Sequence, residues 1–177
     1  MPHHHKRHDR RDRFAHAAFA IPLEETPLGI ALNQAATLLP AERALITEPM
    51  QAAFDALRAA QGDASQLAHI IDAINIGNEI ARRYQIASDH QATRDAAQAA
   101  VIALLERAQA TGRWTLRGAE IAAFDDALWI FSVQLQFVSR GELATCTRVL
   151  KARARSALAG NTGPGVRVFN APAPSHA

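Results

Sequence analysis

The chain has 177 residues, 49% of them apolar, with few aromatics and abundant alanine, which is enough for one domain with a real core and favours close-packed helices. No apolar run approaches the ~20 residues that cross a bilayer, and no long apolar stretch follows the basic start as a signal peptide requires. A lone cysteine, Cys146, excludes an internal disulfide, so a cytoplasmic protein that does not enter membranes is expected.

The net charge of +2 hides a division. Residues 1–13 carry five Lys/Arg against two Asp, residues 14–142 nine against fifteen acids, and residues 143–177 five with no acid. Basic ends of this kind meet nucleic acid, an acidic protein or the chain's own acidic body.

Residues 1–20 read as a flexible basic His/Arg arm with little to bury. His3, His4, His5 and His8 are metal-ligand types; Pro2 lacks the backbone N–H that an amino-terminal copper site would use, which excludes that site, and the run reads as a solvated polar arm or a transition-metal binder, with no metal site assigned. Phe14, Phe19 and Ile21 are expected to anchor the arm to a helical domain over residues 21–160.

The first helix starts at Thr26-Pro27, with Leu28, Leu32, Ala35 and Leu39 as its buried side. Pro40 opens a second segment, and Pro49 predicts a break and restart, because a proline removes a rung of the helical ladder. The restarted piece buries Met50, Phe54 and Leu57 and stops at Gly62. Asp63 with Gln66 forms a capping box for a third helix striped by Leu67, Ile70, Ile71 and Ile74 and flanked by His69, Ala73, Ile76 and Ile80. His69 reads as a partly buried residue with a polar tip. Asn75, Asn78, Glu79 and Arg82 share a polar face, read as solvated with a Glu79–Arg82 or Glu79–Arg83 pair.

Ser88 with Gln91 predicts the cap of a fourth helix, which Gly112 ends. Its early half, residues 92–100, is either an exposed face or an alanine-rich contact. Trp114 then precedes a long central helix, about 117–138. Ile121, Phe124, Leu128, Phe131, Leu135 and Val138 recur there at steps of three and four. Ala123, Ala127, Ile130, Gln134 and Phe137 form a second row, so this helix is expected to be buried on more than one side, with Leu128 and Phe131 wholly enclosed. Asp125 and Asp126 point about 100° apart and cannot serve one substrate atom as acid and base.

Ser139 with Glu142 caps a final helix whose buried side is Leu143, Cys146, Val149, Leu150, Ala154 and Leu158. Its basic side carries Arg148, Lys151, Arg153 and Arg155. A Gly/Pro tail over residues 161–177 follows, with one strand-like patch at 166–169. The fold class is all-α: a single-domain bundle of five to seven helices around the long central one.

The pieces LLPAERALITEPMQAAFDALRAAQGD, INIGNEIARR, ASDH, GRWTLRGAEIAAFDDAL and SRGEL, in that order, resemble a family of short uncharacterised proteins from phages and prophages of proteobacteria. Some of these carry the label of Fis-like transcriptional regulators. The resemblance covers roughly residues 36–160. It implies a phage accessory protein and brings no functional residues with it.

No activated nucleophile, His–carboxylate spacing or phosphate-cradling Gly loop stands in the sequence, so a non-enzymatic role without a cofactor is expected. Two functions remain open. One is nucleic-acid binding through Arg148, Lys151, Arg153 and Arg155 with Lys6, Arg7, Arg10 and Arg11 of the arm, the corner at Ser139–Glu142 serving as a helix-turn-helix. The other is a protein-binding adaptor or inhibitor of a host or phage protein. Self-association of acidic body and basic ends is also open.

Overall fold

The structure, a computed structural model, describes residues 26–159. The arm with Lys6, Arg7, Arg10 and Arg11, the anchors Phe14, Phe19 and Ile21, and the tail lie outside the described residues.

The described chain is an all-α bundle: α1 (Pro27–Ala35), α2 (Pro40–Arg58), α3 (Ala64–Tyr84), α4 (Gln91–Thr111), α5 (Gly118–Phe137) and α6 (Arg140–Leu158). The central helix α5 packs on α2, α3 and α4. It shares the middle of the bundle with α3, which touches α2, α4, α5 and α6. Two apolar clusters are strung along this pair. The first joins Phe54 and Leu57 of α2, Leu67 and Ile70 of α3, Leu104 of α4 and Phe124 of α5. The second joins Ile80 of α3, Phe131 and Leu135 of α5, Val138, Cys146 of α6 and Leu38. Leu128 touches both clusters but is only half-buried, because its outer side opens on a surface cleft beside α2.

Local chemistry sets most helix ends as expected. Thr26 Oγ1 accepts from Gly29 N at 3.0 Å with Pro27 in the first turn. Asp63 Oδ1 accepts from Ser65 N at 2.6 Å, and Gln66 Oε1 accepts from Asp63 N at 2.9 Å. Gly112 closes α4 at φ +70°.

Other ends differ from expectation. Pro49 lies inside one continuous α2. The carbonyl it deprives of a partner belongs to Leu45, which is 75% exposed, so water can replace the missing N–H. Helix α2 stops at Arg58 with Ala60 in the left-handed region, ahead of Gly62. Gly62 instead lets the chain cross Leu57, whose side chain would stand 2.5 Å from a Cβ there. Ser88 does not cap α4, which starts after His90. The buried Arg94 holds that connection, donating to the carbonyls of Ala87 (2.8 Å) and Ser88 (3.0 Å). The early half of α4 buries Ala97 and Ala100, so it is an alanine contact on one side.

Several apolar residues expected inside lie outside. Leu28, Leu32 and Leu39 are well exposed, and so is Ala35, because α1 packs only on α6 among the described helices and turns Gly29 inward. Phe137, the last residue of α5, is 64% exposed, since Val138 takes the inward position there. His69 is exposed. Among the α6 residues whose burial is described, only Cys146 is fully buried; Leu143, Val149 and Leu150 are half-buried and Ala154 is exposed, while the burial of Leu158 lies outside the described residues.

Gln134 is the one polar member of the α5 rows and is wholly buried. Its Nε2 donates to the carbonyls of Gly77 and Ile86, both at 3.0 Å, tying α5 to α3 and to the turn after it. A Cβ at Gly77 would stand 2.8 Å from Gln134 Oε1 and 3.5 Å from a Phe131 ring carbon. Gly77→Ala is therefore expected to destabilise by about 1–2 kcal/mol, despite the better helix propensity of alanine. Chemical denaturation reads it, and the penalty should shrink when Gln134 is also replaced by alanine.

Candidate functional site

The site is built on the joint between α5 and α6. Ser139 and Glu142 cap α6 reciprocally: Ser139 N donates to Glu142 Oε2 (2.8 Å), and Glu142 N donates to Ser139 Oγ (3.3 Å). Thr37 and Ser139 pair as an isolated antiparallel bridge, and Arg140 N donates to Ala36 O at 3.0 Å. Arg140 also clasps Glu42 through Nε (2.9 Å) and Nη2 (2.7 Å) and reaches Asn33 Oδ1 at 3.1 Å. The hydrogen bonds from Arg140 and from Leu39 N lower the pKa of Glu42. Gly141 fits against the Gln34 backbone, whose oxygen would lie 3.1 Å from a Cβ. The first turn of α6 is thus packed on the α1–α2 connection. A helix-turn-helix reads base edges with the first turn of its second helix, and here that turn is occupied.

Beyond this joint, α6 runs back along α3 and borders a groove of about 440 Å³. Leu38, Leu143, Ala144 and Thr147 form its apolar lining, and Arg140, Arg148, Lys151 and Arg155 its charged border. The spacing of three and four predicted that Arg148, Lys151 and Arg155 share a face, and the structure brings all three to this groove. Arg148 and Lys151 have no carboxylate within 4.0 Å among the described residues. Arg155 donates through Nε to Lys151 O at 3.2 Å, which leaves the rest of its guanidinium exposed. The field of Lys151 reaches Asp72 of α3, whose pKa is raised by burial and partly restored by His69 and Lys151.

Arg153 lies apart from these three. Its Nη1 donates to Glu79 Oε2 at 2.9 Å, and Arg82 and Arg83 bond the same carboxylate. The expected Glu79–Arg82 and Glu79–Arg83 pairs both form, but Glu79 itself is 3% exposed rather than solvated, and with the partly exposed Arg153 they make an ion cluster that clamps α6 to α3. Burial pushes the Glu79 carboxyl up, but hydrogen bonds from Arg82, Arg83 and Arg153 outweigh it and bring it down to about 2. A carboxyl lowered on folding stabilises the fold above its unfolded pKa, and that share is lost as pH falls toward the folded value. The melting temperature is therefore expected to drop between about pH 5 and pH 2. Glu79→Gln should flatten that part of the profile.

A second clamp joins α4 to α5, where Arg107 grips Glu120 with both terminal nitrogens, one at 2.8 Å. Burial raises the Glu120 carboxyl, while Arg107 and the Arg117 backbone N–H bring it below its ordinary value. The Cys146 thiol is pushed up by burial and by Glu79. Among the described residues, no cluster of three or more His, Cys, Asp or Glu could hold a metal, and no helix is long and apolar enough to cross a membrane.

Sequence reasoning missed the apolar half of the groove, because Leu38 sits in the α1–α2 connection and no periodicity links it to α6. It also missed the capture of Arg153, whose partner lies 74 positions away. No family model, no curated protein and no solved structure matches the chain.

Proposed function

We propose that this chain is a non-catalytic binding protein that holds an acidic, amphipathic segment of a partner protein in the groove beside α6. One observation carries the reading: Arg148, Lys151 and Arg155 border an apolar trough, and no carboxylate of the described residues lies within 4.0 Å of Arg148 or Lys151. A helix with leucines on one face and carboxylates on its flanks satisfies both components, apolar contact on Leu143 and Ala144 above the buried Leu38, and charge on the rim. An adaptor or inhibitor role belongs to the same proposal, in the phage setting that the family resemblance implies. A non-enzymatic reading is supported by the state of the buried acids: Glu79 and Glu120 are held ionised by arginines, and the Cys146 thiol is buried and kept protonated.

Nucleic acid is the second reading, favoured by the three aligned cations. Against it, phosphate has no use for the apolar lining, and the α6 first turn is packed away. Fluorescence anisotropy at low salt separates the two. A labelled helical peptide with leucine on one face and glutamate on the flanks should bind saturably, and random duplex and single-stranded DNA should bind more weakly. Retention of DNA without retention of the peptide would replace the first reading by the second.

A further inference from the structure

We propose that the cleft between α2 and α5 is a second docking site, which takes an arginine-bearing segment of a partner protein. The cleft encloses about 650 Å³, with Met50 and Leu128, both half-buried, on its floor. Trp129 borders it and is 60% exposed, a large aromatic surface left in water. The indole is braced at its edge by His90, with ring centroids 6.3 Å apart and planes at 84°. Glu48, Asp125 and Asp126 line the same cleft, all three exposed and none with a cation within 4.0 Å among the described residues.

The choice of occupant follows from charge and shape. Asp125 and Asp126 precede Trp129 by four and three residues on α5, so carboxylate and indole face the cleft side by side. A guanidinium is flat, weakly hydrated and always charged; it can stack on the indole while donating to a neighbouring carboxylate. The aliphatic stem of arginine suits the Met50–Leu128 floor. These carboxylates do not converge as a metal-ligand set. An acidic segment would be repelled, so the cleft and the α6 groove select opposite partners, and the inference stands independently of the reading of that groove.

The test uses the full chain labelled with ¹⁵N and a blocked hexa-arginine peptide. The molecule holds two tryptophans, Trp114 and Trp129, so two indole N–H resonances report separately. The Trp129 signal should move saturably while that of Trp114 stays. Asp125→Asn with Asp126→Asn, both at exposed positions, should weaken the response by about tenfold or more. Reversal of Arg148, Lys151 and Arg155 should not weaken it. An unmoved Trp129 signal would overturn the proposal, and so would an equal response to a hexa-serine peptide or full affinity in the asparagine variant. A dimer of the unliganded chain that the asparagine variant breaks would make a second copy the occupant, and would overturn it too.

Discussion

Phe131→Ala is expected to cost about 3–5 kcal/mol, the largest stability loss of any single truncation considered for this chain. Phe131 is 2% exposed and packs where α5 meets Leu38, Ile80, Val138 and Cys146. It also flanks Gly77, so the α3–α5 contact leaves little slack to close the cavity. For a domain of this size the loss corresponds to a melting temperature lower by about 10 °C. Leu128→Ala should cost less, because that side chain is half-buried. Phe137→Ala should stay within about 0.5 kcal/mol, being well exposed. Equal losses at Phe131 and Phe137 would contradict the placement of α5 in the core.

Reversing Arg148, Lys151 and Arg155 to glutamate together is expected to weaken binding of an acidic peptide by about 100-fold or more, with folding intact. Each reversal removes one attraction and adds one repulsion at the groove rim. The three residues are exposed and outside the ion clusters, so circular dichroism and melting should change little. Binding by the native chain should also fall as salt rises past physiological strength, since rim charges are screened over about 8–10 Å. Arg153 is left out of the set deliberately. Arg153→Glu would place a second carboxylate beside Glu79 and should lower stability rather than act on the groove. Isothermal titration and thermal melting on the same samples separate the two effects.

Much of the bundle was legible in the sequence because its signals are local. The boxes at Asp63–Gln66 and Ser139–Glu142 are chemistry between residues three apart, and the apolar steps of α5 are set by helical pitch. The failures arise where a distant partner decides. Pro49 stays in a helix because the carbonyl it deprives of a partner belongs to the exposed Leu45, and Leu28 and Leu32 stay outside because, among the described helices, only α6 covers α1. The box at Ser88 lost to Arg94, which bonds the same connection from inside the next helix. At the groove, the alignment of Arg148, Lys151 and Arg155 was readable from spacing, whereas Leu38 and the Arg153–Glu79 clamp required the packing of α6 on α3. Of the acidic cleft, only the adjacent Asp125 and Asp126 stood out in the sequence; the exposure of Trp129 and the depth of the cleft depend on how α2 lies alongside.

The central claim, that the α6 groove receives an acidic amphipathic segment, is tested most directly by mapping the contact. The ¹⁵N-labelled chain is titrated with the leucine–glutamate peptide, and backbone amide shifts are followed by residue. The account predicts saturable changes gathered at Leu38, Leu143, Thr147, Arg148 and Lys151, with the amides around Trp129 unmoved. Changes centred on the α2–α5 cleft, or spread evenly over both basic and acidic faces, would contradict it.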